Sequence, residues 1–543
     1  MKLPRKSLYL SLVAGAALAA TSTAGVASVT APMVASAPTS PYTLCASQDA
    51  AQIAAAGGRN FLNAEVEPTL GVSGTHLIGQ WHEDRWSNGG AHGIGLGTSS
   101  NSGSTWSNGT MPWDFCAPGT PSSLSIYLRN SDPWVSFGPD GTAYASALAF
   151  NLGFGLNGAP ANGNAVAVAT SSDFGASWQH AQPIPGSVFT TFSQSTDKNS
   201  TTADPVHAGT AYTVWDTLIE PTDNPDDNPH TAAYSGPAYF SKTTDFGAHW
   251  SQATVMVDTK NRSQTIGNII VVDPRTDTLY NFFALLLSPN TPFQGTRSNT
   301  QLAFVKSTNG GDTWTQPQVI APFNSLGVID PNTGERLRVG DGLEEVAIDP
   351  ANGNLYVVWE SSSNYQKQLK QSSGAWDDQI SFTRSIDGGQ TWSAPVVIHR
   401  ASGLPTFTPA VAVNNGVVAV TYYDNRNLTA GQTANLPTDY WIEFSTNGGL
   451  SFSDEQRITT TSFDARTAPV ARGFFLGDYE GLQPMTVNGV NGFGALFVKT
   501  NCNSTDAAGQ VFPTGGACAP ASSTSTATTN TNPTDAFFSF ATQ

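Results

Sequence analysis

The stretch SIDGGQTW, Ser385–Trp392, separates two largely apolar runs, QISFTR and SAPVVIHR. Its general form is Ser/Thr, any residue, Asp/Asn, any residue, Gly, any residue, Ser/Thr/His and Trp/Phe. Copies of this motif begin at Ser99, Ser171, Thr243, Ser307, Ser385 and Ser445. One match would be weak evidence, but six at near-regular spacing indicate a repeat architecture.

Each fixed position of the motif has a physical role in a tight turn. The Asp387 carboxylate can accept hydrogen bonds from backbone N–H groups a few residues further on. Gly389 supplies a backbone angle that a Cβ atom would resist, and Trp392 covers apolar neighbours. Because an alternating strand comes before each copy and another follows it, we predict that the motif is the turn of a β-hairpin.

A second recurring hairpin lies upstream of each motif, as in EEVAIDPANGNLYVVWE from residue 344. Two hairpins per repeat predict units of four strands, and radial stacking of such units gives a β-propeller. The predicted fold is therefore an all-β propeller, with the motif as the turn between the third and fourth strands of each blade.

The end of the chain bears on the number of blades. A seventh copy of the upstream hairpin, GLQPMTVNGVNGFGALFVKT, carries no motif, and the chain finishes with the strand-like DAFFSFATQ. We therefore expect seven blades, with six as the alternative, in a single domain over residues 65–543. The last blade lacks one strand, and an N-terminal extension, residues 38–64, is the candidate that closes its open edge.

The N-terminus has the pattern of an export signal. Lys2, Arg5 and Lys6 precede the apolar run LYLSLVAGAALAA, and small-residue sites follow it. Residues 1–37 are expected to be a signal peptide and leader, with cleavage between about residues 20 and 37. The mature protein is then secreted and soluble, and a retained membrane anchor is the alternative.

The four cysteines are Cys45, Cys116, Cys502 and Cys518. An even number in an exported chain favours two disulfides, with three connectivities open. Cys502 and Cys518 flank a polar loop at about residues 501–534, which favours a bond between them and leaves Cys45 with Cys116.

The composition excludes some partners. The chain has 543 residues and a formal net charge of −17, which disfavours binding to nucleic acid or to anionic membranes. No cofactor is expected, and the protein is expected to be a monomer. The acidic loop PTDNPDDNPH, with Asp223, Asp226 and Asp227, is a candidate for Ca²⁺, although a solvated acidic loop is the simpler interpretation.

The six motifs resemble the Asp boxes, or bacterial neuraminidase repeats, of the sialidase superfamily, over roughly residues 65–500. The stretches QWHEDRWSNGGAHGIGLGTS and GDYEGL are also similar to secreted bacterial sialidase-like proteins. The resemblance implies an exo-α-sialidase-like glycoside hydrolase that acts on a terminal sugar of a glycan, sialic acid among the candidates. Asp boxes identify the fold better than the reaction.

Strand direction predicts where a site would lie. The motif joins the third strand to the fourth and so belongs to one end of the propeller, whereas first strands begin and second strands end at the other. That other end is rich in carboxylates and aromatic residues, the latter including Trp81, Trp215 and Trp359. Sugar faces stack on aromatic rings while carboxylates bind hydroxyls, so we predict a carbohydrate cleft there, with a solvated rim as the alternative.

The sialidase resemblance implies particular roles at this end. Arg85, Arg426 and Arg472 would clamp the substrate carboxylate, with Arg59 and Arg338 as competing candidates. Asp132 would be the acid/base, and Tyr479 would be the nucleophile, assisted by Glu344 or Glu345.

One feature departs from the sialidase pattern. The Phe/Tyr-Arg-Ile/Leu-Pro motif that carries the first arginine in sialidases is absent. Two alternatives therefore stay open: a non-catalytic propeller that binds glycan or protein, and a propeller hydrolase or lyase for another polysaccharide.

Overall fold

The computed structural model describes residues 27–42, 44–117, 124–191, 193–220, 235–259, 263–287, 300–362, 378–399, 404–501 and 534–543. These residues form an almost entirely β structure, so the all-β prediction is confirmed. Within them there is one α-helix, α1 (Ala46–Ala56), and a short 3-10 helix at Ala465–Thr467. None of their helices is long and apolar enough to cross a membrane.

Most strands of the described chain belong to seven consecutive antiparallel groups, which we number units 1 to 7. Unit 1 contains β4 (Val66–Ser73), β5 (His76–Trp86), β6 (Ala91–Ser99) and β7 (Ser107–Thr110). Unit 2 contains β8 (Arg129–Phe137), β9 (Ala143–Phe150), β10 (Asn164–Ser171) and β11 (Gln179–Pro183). Unit 3 contains β12 (Gln194–Ala203), β13 (Ala211–Ile219), β15 (Ala238–Thr243) and β16 (Thr254–Val257). Unit 4 contains β17 (Ser263–Asp273), β18 (Thr278–Leu286), β19 (Thr300–Ser307) and β20 (Gln318–Pro322). Unit 5 contains β23 (Glu344–Ile348), β24 (Leu355–Ser361), β25 (Gln379–Ser385) and β26 (Val396–Val397). Unit 6 contains β27 (Thr406–Asn414), β28 (Val417–Asp424), β29 (Pro437–Ser445) and β30 (Ser453–Arg457). Unit 7 contains β33 (Gly481–Val487), β34 (Val490–Thr500), β35 (Thr534–Thr542), β1 (Ser28–Val29) and β2 (Met33–Val34). The remaining short strands are β3 (Asn60–Phe61), β14 (Ser235–Gly236), β21 (Val328–Ile329), β22 (Arg336–Arg338), β31 (Phe463–Asp464) and β32 (Phe474–Phe475).

The seven units form a closed ring. The first strand of each unit contacts the first strand of the next, and β33 of unit 7 contacts β4 of unit 1. The hydrophobic core lies between neighbouring units; Phe282 of unit 4 and Val357 of unit 5, for example, share one buried cluster. Radially stacked four-stranded sheets around an axis are the arrangement of a β-propeller.

The edge of unit 7 is covered by residues 28–34 and not by residues 38–64 as expected. Ser28 pairs with Thr542 and Met33 pairs with Phe538 of β35. Val29 and Val34 pack on the core between units 6 and 7, which explains why this segment takes the open edge. Residues 38–64 instead form α1 and β3, and β3 pairs with β5 of unit 1.

The Cys45–Cys116 disulfide is present, with the two Cα atoms 5.5 Å apart. It ties the start of α1 to the segment that follows β7. Cys502, Cys518 and the acidic loop with Asp223, Asp226 and Asp227 lie outside the described residues.

The six motifs lie between the third and fourth strands of units 1 to 6, and all six share one hydrogen-bond pattern. In SIDGGQTW the Gly389 N–H donates to Ser385 Oγ at 2.9 Å, and the Thr391 N–H donates to Asp387 Oδ1 at 2.9 Å. The corresponding glycine-to-hydroxyl bonds of the other copies measure between 2.8 and 3.0 Å. The conserved positions of the motif are therefore used to close a turn.

The motif also joins each unit to the one before it. Trp392 of unit 5 packs edge-on against Phe282 and Phe304 of unit 4, with ring centroids 5.9 and 5.7 Å apart. Gly389 has a φ of +80°, and a Cβ atom there would lie 2.8 Å from the Phe304 ring. The glycine is therefore required both by the backbone angle and by the close approach of the neighbouring unit.

The titration of Asp387 supplies a test of the turn. Hydrogen bonds from Thr391 and Ser385 lower the pKa of Asp387 from 3.8 to about 2. The ionised carboxylate therefore stabilises the folded state above about pH 3.8, and this contribution is lost as the pH falls through about 2. We expect Asp387→Asn, which installs the residue used at Asn309, to match the wild type at pH 7 and to lose less stability between pH 4 and 2.

Melting temperatures at pH 7, 4 and 2 would measure this, with Asp387→Ala as the variant that lowers stability already at pH 7. Parallel acid profiles for the wild type and Asp387→Asn would contradict the assignment.

The pairing of β1 and β2 predicts how far the N-terminus can be shortened. Removal of residues 1–27 should leave the melting temperature unchanged, because β35 keeps its partner. Removal of residues 1–37 should lower it and promote self-association, since an open strand edge can pair with another chain. Calorimetry and size-exclusion chromatography of the two truncations would decide, and equal behaviour would refute the closure by residues 28–34.

Candidate active site

A cavity of about 730 Å³ opens where first strands begin and second strands end. Its lining includes Asp132 at the start of β8 and Leu218 at the end of β13. The third strand β10 runs from Asn164, which lines the cavity, to Ser171, which begins a motif. At about 3.3 Å per residue, this eight-residue strand separates the two ends by roughly 23 Å. The motifs therefore lie at the end of the molecule opposite the cavity.

A β-bulge interrupts five of the seven first strands in the described chain. Each register shift encloses a residue with left-handed backbone, namely Glu67, Asp132, Lys198, Gly267 and Thr408, whose φ values lie between 43° and 79°. A bulge leaves one residue outside the strand ladder and redirects its side chain. In units 1 to 3 the redirected side chains are charged, and they meet at the floor of the cavity.

The bulge also releases a backbone N–H group that must find another acceptor. The Asp132 N–H donates to His82 Nε2 at 2.8 Å, and His82 belongs to the preceding unit. In the same way, the Gly267 N–H donates to Asp216 Oδ2 at 3.0 Å, and the Thr408 N–H donates to Glu360 Oε1 at 2.8 Å. A polar side chain of one unit thus holds the bulge of the next.

Lys198 is the centre of the charge cluster. Its Nζ lies 2.9 Å from Asp478 Oδ2, 3.2 Å from Glu67 Oε1 and 3.5 Å from Asp132 Oδ2. Only 10% of the lysine side chain is exposed. Burial opposes the charged form, but Asp132, Asp478 and Glu67 together raise the pKa of Lys198 well above its usual value. The ammonium ion therefore stays charged and holds three carboxyl groups in place.

Arg338 adds a second cation to the cluster. Its Nε and Nη2 donate to Asp478 at 3.1 and 2.5 Å, a bidentate pair, while the guanidinium lies 4.2 Å above the Phe475 ring. Burial would raise the pKa of Asp478, but Arg338 and Lys198 hold it well below its usual value. Asp478 is therefore a carboxylate at any pH near neutrality.

Glu67 and His82 form the buried side of the cluster. Glu67 Oε2 lies 3.0 Å from His82 Nε2, and that nitrogen accepts the Asp132 N–H. Burial raises the pKa of Glu67 to about 8, and burial lowers the pKa of His82 well below its usual value. The pair is therefore a protonated carboxyl group beside a neutral imidazole.

Glu67, His82 and Asp132 also bring one potential metal-ligand atom each to within 4.8 Å of one another. The Lys198 ammonium already lies within 3.5 Å of two of these groups. A divalent cation at the same point would be repelled by the lysine, so we assign no metal to this group.

Two of the three predicted clamp arginines line the cavity. Arg85 is fully buried and donates to the Gly90 carbonyl, and burial lowers its pKa to about 10. Arg472 is exposed to the cavity and makes no ion pair or hydrogen bond with any described residue. Partial desolvation by the cavity wall and the nearby Arg338 lower the pKa of Arg472.

The prediction for Arg426 is wrong. Its guanidinium lies 3.6 Å above the Trp441 ring and pairs with Asp424 and Glu455. The last of these is on the outermost strand β30, so the side chain turns away from the axis. Arg338, the competing candidate, takes a place in the cavity wall instead.

The prediction that tryptophans form stacking platforms is also wrong. Trp81, Trp215 and Trp359 are at most 1% exposed, and none lines the cavity. Trp359 donates to the Phe323 carbonyl at 3.1 Å, and Trp215 stacks on Tyr239. Their rings fill the space between neighbouring sheets, where large apolar surface is most stabilising.

Tyr479 does not present its hydroxyl to the cavity. The ring is buried against Trp134, and the hydroxyl donates to the Pro133 carbonyl at 3.3 Å. Within the described residues, Glu345 makes no hydrogen bond with Tyr479, and burial raises the pKa of Glu345 to about 8. The predicted nucleophile and its base are therefore not arranged as such a pair.

Lys198, like Asp478, is a site residue that the sequence did not single out. It lies in β12, whose sequence QSTDKNSTTA lacks the apolar alternation of a strand. The next acidic residue of this unit, Asp204, lies in the turn after β12, at the far end from the cavity. The only available signal was the spacing, because each preceding unit has a charged residue at the corresponding bulge.

No protein-family model and no curated protein sequence matches the chain. Similar solved structures include the Hadza microbial sialidase Hz136, at 16% identity over 67% of this chain and 64% of that one, with a TM-score of 0.41. Another is the α-L-arabinanase of Penicillium chrysogenum complexed with arabinobiose, at 10% identity, 94% and 98% coverage and a TM-score of 0.40. A third is the Trypanosoma rangeli sialidase, at 14% identity, 60% and 46% coverage and a TM-score of 0.33. The chain spans less than two thirds of the length of both sialidases, and at this distance the likeness assigns no function.

The cluster predicts a large stability loss when its central cation is removed. In Lys198→Met three carboxyl groups lose their shared ammonium, and we expect the free energy of unfolding to fall by about 3–5 kcal/mol. Lys242→Met is the matched control, because Lys242 Nζ pairs with Asp312 at 2.7 Å on the surface and should contribute less than about 1 kcal/mol. Urea unfolding followed by tryptophan fluorescence would measure both, and equal losses would show that the cluster is not held by Lys198.

Proposed function

We propose that the protein is a secreted glycoside hydrolase that removes a terminal sugar from a glycan, with the cavity as its active site. In this proposal the fold is a seven-bladed propeller, and the Asp-box turns serve packing at the far end. The observation that carries it is Asp132, a buried residue that lines the cavity and whose Oδ2 accepts no hydrogen bond from a described residue, with the Lys198 ammonium 3.5 Å away. The Cys45–Cys116 disulfide fits export to an oxidising compartment.

Asp132 is the group that exchanges a proton with the glycosidic oxygen. Its backbone is held by His82 and by the bulge, so the carboxyl group has little freedom to move. A fixed carboxyl group within hydrogen-bond reach of the leaving oxygen is what general acid catalysis requires.

Asp478 is the second carboxylate of the site. Both it and Asp132 lie within 3.5 Å of Lys198 Nζ, so their nearest oxygens are no more than about 7 Å apart. Pairs of carboxyl groups at about 5–10 Å serve retaining or inverting glycosidases. Asp478 stays ionised between Arg338 and Lys198, so it can stabilise positive charge that develops on the sugar ring.

Arg472 indicates the class of sugar. Arg472 faces the cavity and makes no ion pair or hydrogen bond with the described residues, and Arg85, which makes no ion pair with them either, lines the same cavity. A guanidinium matches a carboxylate bidentately. We therefore propose a terminal sugar that carries a carboxylate, with sialic acid as the leading candidate and a uronic acid as the next.

One observation favours a second function, a glycan-binding propeller without catalysis. The Tyr479 hydroxyl is turned onto the Pro133 carbonyl, so the sialidase-type nucleophile is not available in this structure. In that case the same cavity would hold an anionic sugar through Arg472 and release it unchanged.

Turnover of a panel of fluorogenic substrates tests the proposal. A sialoside, a glucuronide and a neutral arabinofuranoside would be compared on the wild type and on Asp132→Asn. We expect hydrolysis of one of the acidic sugars, and a loss of kcat of about 10²–10⁴-fold in Asp132→Asn, because the proton donor is removed. Arg472→Gln should raise KM for the acidic substrate more than it lowers kcat.

The matched control is Asp140→Asn, which alters an exposed turn of the same unit at the far end of β8. It should leave turnover unchanged. If the wild type binds the acidic sugar without hydrolysing any substrate, the protein is the binding module. If Asp132→Asn keeps full activity, the site is elsewhere.

A further inference from the structure

One side of the cavity is apolar and has no role in the proposed hydrolysis. In units 2, 3 and 4 the second strand brings an apolar side chain to the cavity near its end, namely Phe150, Leu218 and Leu286. Phe150 and Leu286 are half-buried, and Leu218 is buried. We call these three side chains the apolar wall.

The three residues of the apolar wall occupy equivalent positions in their units. Each lies two residues beyond the second-strand residue that pairs directly before the bulge, which is Leu148, Asp216 or Ala284. In units 1 and 6, which also have a bulge, the same count along the second strand reaches Asp84 and Asn425. The apolar wall is therefore a repeated feature that is confined to three neighbouring units among the five with a bulge.

Two uncharged polar side chains lie beside the apolar wall. Ser195 pairs with Leu218, and Gln264 pairs with Leu286. Residues directly opposite in an antiparallel ladder carry their side chains on the same face, and both polar residues line the cavity. Neither the Ser195 hydroxyl nor the Gln264 amide makes a hydrogen bond with another residue in the described part of the chain. Both groups can therefore bind hydroxyl groups of a ligand.

Charged groups lie mainly at the floor of the cavity and not on this side. Asp132 and Lys198 are bulge residues on the floor, and Asp197 directly precedes Lys198. Among the described lining residues of units 3 and 4, Glu220 is the further charged one, and it is only 6% exposed. A charged ligand group against the apolar wall would lose water without gaining a counter-ion. An uncharged ligand with apolar faces and several hydroxyls, such as a neutral sugar, suits this surface.

The order of groups around the axis indicates which part of a substrate meets the apolar wall. In the proposed function the acidic sugar contacts Arg472, which lies between units 6 and 7, and Arg85 of unit 1 lines the same side. The glycosidic oxygen then lies at Asp132 of unit 2, and units 3 and 4 follow on the other side. The group that leaves with the glycosidic oxygen therefore extends toward the apolar wall.

We propose that the apolar wall, with Ser195 and Gln264, is a second subsite that binds a neutral sugar linked to the terminal acidic sugar. The inference rests on the proposed function for the position of the cleaved bond. It adds the substrate class, namely a glycan whose acidic end is attached to an uncharged sugar and not to a second acidic one.

Titration calorimetry on Asp132→Asn tests the second subsite, because this variant should bind a substrate without cleaving it. The ligands are methyl sialoside, sialyllactose and lactose alone, with glucuronic acid in place of sialic acid if the substrate panel identifies a glucuronide. We expect the trisaccharide to bind about 10-fold more tightly than the methyl glycoside, because only the trisaccharide reaches the apolar wall. A dimer of the acidic sugar should show no such gain.

Substitutions in the apolar wall should remove this gain. Phe150→Ala and Leu286→Asn, each made in the Asp132→Asn protein, should bring the ratio of the two dissociation constants close to one. Gln264→Ala should lower the ratio less, because the apolar contact remains. If Phe150→Ala does not fold, the other two variants carry the test.

Leu287→Asn is the matched control. Leu287 follows Leu286 directly, but it is 42% exposed and does not line the cavity. This variant should keep the full gain of the trisaccharide over the methyl glycoside.

Three outcomes would overturn the second subsite. The trisaccharide could bind no more tightly than the methyl glycoside, or its gain could survive Leu286→Asn. The wall variants could also weaken both ligands equally, which would place the terminal sugar against the apolar wall.

Lactose alone separates this inference from the proposed function. Lactose binding that Leu286→Asn abolishes would support the subsite even if no acidic sugar were bound or cleaved. Cleavage of the acidic sugar without any gain from lactose would leave the proposed function intact and refute the subsite. If none of the ligands binds, both fail.

Discussion

A buried N–H group released by a bulge must find an acceptor, and this requirement organises the inner ring. Five first strands carry a left-handed bulge residue, and in three of them a side chain of the preceding unit accepts the released N–H. Those acceptors are His82, Asp216 and Glu360. The same bulges turn Glu67, Asp132 and Lys198 toward the axis. The bulges that link neighbouring units therefore also place the charged side chains at the floor of the cavity.

The polar side chains at the two ends of the molecule serve different purposes. At the motif end, the hydroxyl, the Asp or Asn side chain and the aromatic ring of each motif are used in the turn and in contacts to the preceding unit. At the cavity end, burial and neighbouring charges move ionisable groups away from their usual protonation, as with Glu67 and Asp478. Strongly perturbed groups in a cleft indicate function, although ion-pair networks perturb them too. The net charge of −17 hides this local cluster of Lys198, Arg338 and Arg472.

Much of the architecture could be predicted from the sequence because the motif is a local device. Ser385, Asp387 and Gly389 interact within five residues, so their pattern determines the turn without help from the rest of the fold. Asp132 was expected at the cavity end because an apolar run, PWVSF, follows it directly, whereas its acid/base role was an implication of the sialidase resemblance and stays a prediction. The all-β class followed from many such local signals.

The remaining site residues depend on contacts that sequence patterns do not reveal. Lys198 lies in a polar strand whose β conformation depends on pairing with neighbouring strands. Asp478 is held as a carboxylate by Arg338, which is 140 residues away in the chain. The predictions for Trp81 and Arg426 were wrong because the position of a residue near a strand end predicts its height along the propeller axis. It does not predict on which face of the sheet the side chain lies. Residues 28–34 were assigned to the leader because their small and apolar residues fit that pattern equally well.

The most direct test of the account is a crystal structure of Asp132→Asn with a sialylated trisaccharide. The account predicts density for the sugar in the cavity, with its glycosidic oxygen within about 3.2 Å of the residue 132 side chain and its carboxylate against Arg472. A sugar bound on another face, or one in the cavity whose glycosidic bond lies far from residue 132, would contradict it.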